Sequence, residues 1–123
     1  MATTETIGAP WPTELKLAKD RAWLTVTYDD GRSFDIPAEL LRVMSPSAEV
    51  QGHSPDQRVT VAGKKSVRMA RLEPVGNYAV RIVFDDGHAT GLYSWVYLRE
   101  LGENKEARFQ SYLDELARKG LTR

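Results

Sequence analysis

The sequence predicts an α+β fold, a mostly antiparallel sheet with helices on one face. Three observations carry this. Short stretches of apolar/polar alternation, the period of a half-buried strand, end twice in Asp-Asp-Gly, at 29–31 and 85–87. Each turn sits in a strand–turn–strand–helix pattern: Leu24 to Arg42 is echoed by Val80 to Arg99. The turns lie 56 residues apart and the Leu-Arg pairs 41–42 and 98–99 lie 57 apart, so one residue is inserted in the second copy. Finally, Phe109, Tyr112, Leu113, Leu116 and Ala117 fall at the spacing of one helix face.

Taken in order, residues 1–10 have no periodicity and read as a flexible tail, with Trp11 anchoring its end and 11–123 forming one domain. Leu15 and Leu17 begin the first strand; Leu24, Val26 and Tyr28 make a clearer second one. A two-residue Asp30-Gly31 loop would turn Phe34 to the wrong face. A three-residue loop with left-handed Gly31 sets Phe34 opposite Val26 and Ile36 opposite Leu24, which keeps four apolar side chains together. Pro37 suits a first helical turn, with Leu40, Leu41 and Met44 on its apolar side. Ser45-Pro46 reads as a cap opening a brief turn that stops near Gly52, and 52–58 as loop. Residues 59–61 and 67–72 read as a hairpin. In the strand from Tyr78 to Phe84, Tyr78, Val80, Ile82 and Phe84 share a face. Trp95, Leu98 and Leu101 mark a short helix, and Asn104 caps the last one, closed by Gly120.

Composition narrows the function. The 123 residues would fold to a radius of gyration of roughly 14 Å, and 41% hydrophobic content excludes wholesale disorder. Seventeen basic residues balance seventeen acidic ones, without the excess typical of dedicated nucleic-acid binders. The absence of cysteine excludes disulfides, thiolate metal sites and Cys nucleophiles in this chain. No apolar run approaches a membrane span and the N-terminus lacks a secretory pattern, so the expected compartment is the cytoplasm.

Candidate chemistry is sparse. His88 follows Asp85-Asp86-Gly87, which reads either as a metal or acid–base cluster or as plain turn chemistry with the carboxylates capping the bend. The register sets His88 opposite Phe84 on the core side, where an imidazole needs a hydrogen-bond partner. His53 sits in a polar loop, and two histidines alone do not complete a tetrahedral site. None of Ser45, Ser47, Ser54 and Ser66 lies in Gly-x-Ser-x-Gly, and Gly63-Lys64-Lys65-Ser66 lacks the earlier glycine of a phosphate loop. Lys64, Lys65, Arg68, Arg71 and Arg81 against Glu73 form a basic strip, read either as a solvated face or as a contact for an acidic partner. Tyr93, Trp95 and Tyr97 alternate just beyond. Any of these rings left exposed would favour a protein contact. The candidate interaction surface therefore comprises His53, Lys64, Lys65, Arg68, Arg71, His88, Tyr93 and Trp95.

Two segments, Leu41-Arg42-Val43-Met44-Ser45-Pro46-Ser47-Ala48-Glu49-Val50-Gln51-Gly52-His53 and the run from Gly76 through Phe84-Asp85-Asp86-Gly87-His88 to Trp95, resemble the gamma-butyrobetaine hydroxylase-like N-terminal domain, a family largely of unknown function. The resemblance spans about Trp11 to Gly120 and implies a two-layer α+β sandwich. Such domains stand alone in bacteria, precede the oxygenase domain of the hydroxylases, or are fused to P-loop iron–sulfur carriers. In the hydroxylases the domain holds zinc through Cys-Pro-Cys, a third cysteine and a histidine. Those positions fall here on Ser45, Ser47, Val50 and His88, so only the histidine is kept and no zinc is expected. The oxygenase iron ligands lie in a domain outside this chain, so hydroxylation does not transfer.

The resemblance thus implies a non-enzymatic accessory module, cofactor-free, that docks on a protein partner such as an iron–sulfur carrier or an iron enzyme. The alternatives are an iron- or zinc-binding domain using His88, His53 and Asp85, and a nucleic-acid binder using the 64–81 strip. A hydrolase comes last. A membrane partner is not expected.

Overall fold

The computed structural model describes residues 11–52 and 58–123. The expected tail at 1–10 and His53 lie outside these. Strands β1 (Pro12–Leu17), β2 (Trp23–Tyr28) and β3 (Ser33–Pro37) lead into helix α1 (Ala38–Val43) and the single turn α2 (Ala48–Gln51). Strands β4 (Met69–Val75), β5 (Ala79–Phe84) and β6 (Leu92–Ser94) lead into α3 (Trp95–Glu103) and α4 (Lys105–Arg118).

The fold is α+β with antiparallel pairing throughout, but the one expected sheet is two, ordered β1-β2-β3 and β4-β5-β6. They meet where the β1–β2 turn touches the start of β4: Met69 N donates to Arg21 O at 2.9 Å, and the Arg21 guanidinium donates to Ala70 O at 2.5 Å.

The echo is complete and longer than the sequence displays. The first hairpin pairs Val26 with Phe34 and Leu24 with Ile36, the register of the three-residue loop. Both Asp-Asp-Gly turns close alike. Tyr28 N donates to Arg32 O and Phe84 N to His88 O, each at 2.9 Å. Gly31 (φ 86°) and Gly87 (φ 92°) supply the left-handed residue that a side chain would strain. The second Asp of each turn accepts from the backbone N–H of Arg32 or His88, and the first pairs with the backbone of Trp11 or Arg68. Even the irregularities repeat, at Pro12/Glu14 in β1 and Met69/Arg71 in β4.

One core unites both copies. Leu24, Val26, Ile36, Val80, Ile82 and Phe84 bury their side chains with Leu40, Leu41, Leu98 and Leu101. Helix α4 adds Tyr112 and Leu116 fully and Phe109 and Leu113 in part.

Four local expectations are corrected. Residues 67–72 do not pair with 59–61; instead Met69–Val75 pairs with β5, whose long apolar alternation offers the better ladder. Tyr78 is 56% exposed, because β5 begins only at Ala79. Ser47, not Ser45, stands at the cap position of α2, with no side-chain cap. Asn104 precedes α4 without capping it; its amide turns back to donate to Glu100 O at the end of α3.

Candidate functional site

The chain's only buried imidazole among the described residues sits where the two units interlock. Helix α1 ends at Val43, and after Met44 the chain turns inward so that Ser45 is fully buried and Ser47 nearly so. The β5–β6 turn delivers His88 to the same corner, 9% exposed. His88 Nε2 lies 2.9 Å from Ser45 Oγ and 3.4 Å from Ser47 Oγ, and the two hydroxyls are 3.2 Å apart. Ser47 N donates to Ser45 Oγ, and Gln51 donates to Ser45 O. The backbone of Gly91 seals the corner, since a Cβ there would overlap Ser45 Oγ. Val50 is buried on α2 and offers no donor atom.

Charge surrounds this corner. Arg42 Nε and Lys64 Nζ reach Asp86 Oδ2 at 2.8 and 2.7 Å, and Asp86 Oδ1 accepts from His88 N. Burial alone would raise the Asp86 carboxyl, but hydrogen bonds from Lys64, the His88 backbone and Arg42 hold it far below the ordinary carboxylate range. Burial lowers the His88 imidazole from its ordinary value and the Arg42 cation adds to this, while Glu49 and Asp86 oppose. Glu49 Oε1 lies 3.7 Å from His88 Nδ1 and accepts from Thr90. The corner is therefore built to keep a neutral imidazole.

The other singled-out residues scatter. Asp85 accepts from Arg68 N, which ties its turn to the residue before β4. Tyr93 is corrected outright: paired with Val80 on the inward face, it is fully buried and donates to Leu41 O, so it belongs to no surface. Trp95 is half-buried, its indole donating to Asn77 O at 2.8 Å. The basic strip is partly neutralised: Lys64 pairs with Asp86, and Arg71 and Arg81 both pair with Glu73. Lys65 is exposed and Arg68 half-buried.

Sequence reading missed the ion pairs that join the units. Arg42, after the first hairpin, binds the turn aspartate of the second; Arg99, after the second, binds Asp30 of the first at 2.8 Å. The Leu-Arg pairs at echo spacing were the available signal.

Donor chemistry tests whether a zinc ion fits this corner. Hydroxyls are neutral near pH 7 and poor zinc ligands beside thiolates, and one imidazole does not complete a set. Among the described residues no group of three His, Cys, Asp or Glu converges on one point. Zinc does not fit. Nor is any helix among them long and apolar enough to cross a membrane.

Fold and corner define a small two-unit α+β domain of a family without established function. The sequence matches the family described as gamma-butyrobetaine hydroxylase-like, N-terminal, over residues 15–99, and the chain belongs to it. A solution structure at 46% identity covers 94% of this chain and 91% of its own, with a TM-score of 0.81. A second, at 44% identity, covers 99% and 91% with a TM-score of 0.82. A crystal structure of a protein of unknown function from Acidithiobacillus ferrooxidans, of the DUF971 family, is 35% identical over 74% of this chain and 91% of its own, with a TM-score of 0.61. No curated protein is significantly similar to the chain.

Proposed function

We propose that this chain is a non-enzymatic accessory module of the cytoplasm that docks on a protein partner, an iron–sulfur carrier or an iron enzyme. The iron association rests on the domain's fusions in related proteins, which makes it an argument by analogy. The observation that carries the docking reading is an aromatic patch at the start of α3. Trp11, Asn77 and Trp95 line one groove of about 310 Å³. Tyr78, whose carbonyl accepts from Trp95 N, and Val96 stand beside it, 56% and 59% exposed. Exposed aromatic rings of this kind anchor protein interfaces.

Catalysis has less support. Among the described residues the serines that meet a histidine, Ser45 and Ser47 at His88, are buried, and Ser45 Oγ is backed by Gly91, so neither hydroxyl is presented to a substrate. The basic strip favours nucleic acid little, since much of its charge is spent on Asp86 and Glu73.

The test is calorimetric titration of the purified chain into a purified P-loop iron–sulfur carrier and, separately, an iron-dependent oxygenase. One partner should bind stoichiometrically, and Tyr78→Ser with Val96→Ser should weaken binding at least about tenfold, roughly 1.4 kcal/mol, without changing the melting temperature. No heat of binding with either protein would sink this reading.

A further inference from the structure

We infer that the Ser45–Ser47–His88 corner is a metal-free hydrogen-bonded lock, closed by a neutral imidazole that carries its proton on Nδ1. Two hydroxyls and one ring nitrogen converge within 3.4 Å in a pocket sealed by the Gly91 backbone. Such buried polar atoms must satisfy one another. With the proton on Nδ1, Nε2 accepts from Ser45 Oγ–H at 2.9 Å, while Ser45 Oγ itself accepts from Ser47 N. The other ring nitrogen supports the same assignment, because the Glu49 carboxylate lies 3.7 Å from Nδ1 and favours a proton there.

The charged groups around the ring divide. Arg42 and Lys64 repel a second ring proton; Asp86, which favours ring charge, is engaged by both of them and by the His88 N–H; Glu49, which also favours it, stands on the Nδ1 side. The lock joins the end of α1 to the second hairpin, so it does within one chain what a bound ion would otherwise do between the same segments. This inference is independent of the docking reading, since it concerns closed residues and not the aromatic patch.

The experiment is nitrogen-15 NMR of the full chain at neutral pH, paired with metal analysis after growth in zinc-supplemented medium, gel filtration and dialysis. His88 Nε2 should show the chemical shift of an unprotonated ring nitrogen and Nδ1 that of a protonated one. Zinc per chain should be far below one, and added zinc chloride should leave the melting temperature unchanged. Ser45→Ala should move the Nε2 resonance, and if that variant does not fold, Ser47→Ala, farther from the ring, should leave Nε2 unprotonated. One zinc retained per chain, or a proton on Nε2 in the wild-type protein, overturns the lock.

Discussion

The two strand–hairpin–helix units share register, turns and bulges, yet they end in different corners. In the second unit the residue after Asp-Asp-Gly is His88, buried against Ser45 and Ser47 of the first. In the first unit the same position is Arg32, which stays in solvent and reaches Glu103 at 3.6 Å. At the 57-residue spacing the partners of Ser45 and Ser47 are Gly102 and Asn104, and the partner of Gly91 is Phe34. The contacts follow the exchange. Gly91 makes room for Ser45 at one corner, and Gly102 makes room for Phe34 at the other. One corner is polar and closed by hydrogen bonds; the other is apolar and filled by a ring. The same backbone thus supports either solution, provided that one of the two facing positions is small.

The junctions differ as well. Met69 N joins β4 to Arg21 O, whereas its counterpart Pro12 has no N–H to offer. The acceptor at that second junction, Asn77 O, is instead served by the Trp95 indole. A missing donor in β1 thereby explains why a tryptophan is held at the rim of the aromatic patch.

The largest expected effect separates the equivalent core positions Tyr93 and Ile36. Tyr93→Ala should cost about 4 kcal/mol and Ile36→Ala about 3 kcal/mol in denaturant titration, because Tyr93 also donates to Leu41 O of the other unit. A smaller loss at Tyr93 than at Ile36 would contradict the asymmetry. Next come the reciprocal ion pairs. Asp86→Ala should cost about 2–3 kcal/mol, since it strands Arg42 and Lys64 in a half-enclosed site. Asp30→Ala should cost less and lose most of its effect at high salt, being more open to water. Equal, salt-insensitive losses would show that the two pairs are alike after all.

Gly102→Ala probes the apolar corner. Its Cβ would lie 2.6 Å from Phe34 Cβ, so about 2 kcal/mol should be lost. Adding Phe34→Ala should recover part of that loss, and full additivity in the double-mutant cycle would dissociate the two positions.

The smallest effect is pH dependence near neutrality, which the polar corner should show through its histidine. The folded imidazole of His88 resists protonation relative to the unfolded chain. Its contribution is therefore complete above the unfolded value, about 6.5, and declines as pH falls through it toward the lower folded value. Thermal midpoints should drop between about pH 7 and 5, and His88→Gln should flatten that window. Asp86, held low, acts only in stronger acid: its contribution is present above the unfolded carboxylate value and lost as pH falls toward the folded one. A His88→Gln profile that follows the wild type would remove His88 as the cause.

By itself, the sequence determined what depends on neighbours along the chain. Alternation fixed which faces of β2, β3 and β5 are buried, and the placement of Phe34 and Ile36 fixed the loop length and register. The Asp-Asp-Gly turns fixed His88 opposite Phe84, and the helical spacing of 109–117 fixed the inner face of α4. The resemblance to the hydroxylase domain located the corner at 45, 47 and 88, and the need of a buried imidazole for a partner pointed to the hydroxyls that meet it there. Tertiary structure decided the rest. The division into two sheets and the pairing of Arg42 with Asp86 and Arg99 with Asp30 depend on how one unit meets the other. Local periodicity carries no information about partners 44 or 69 residues away. The free energy that selects them comes from burying facing surfaces and pairing their charges, which exist only once the two units are packed.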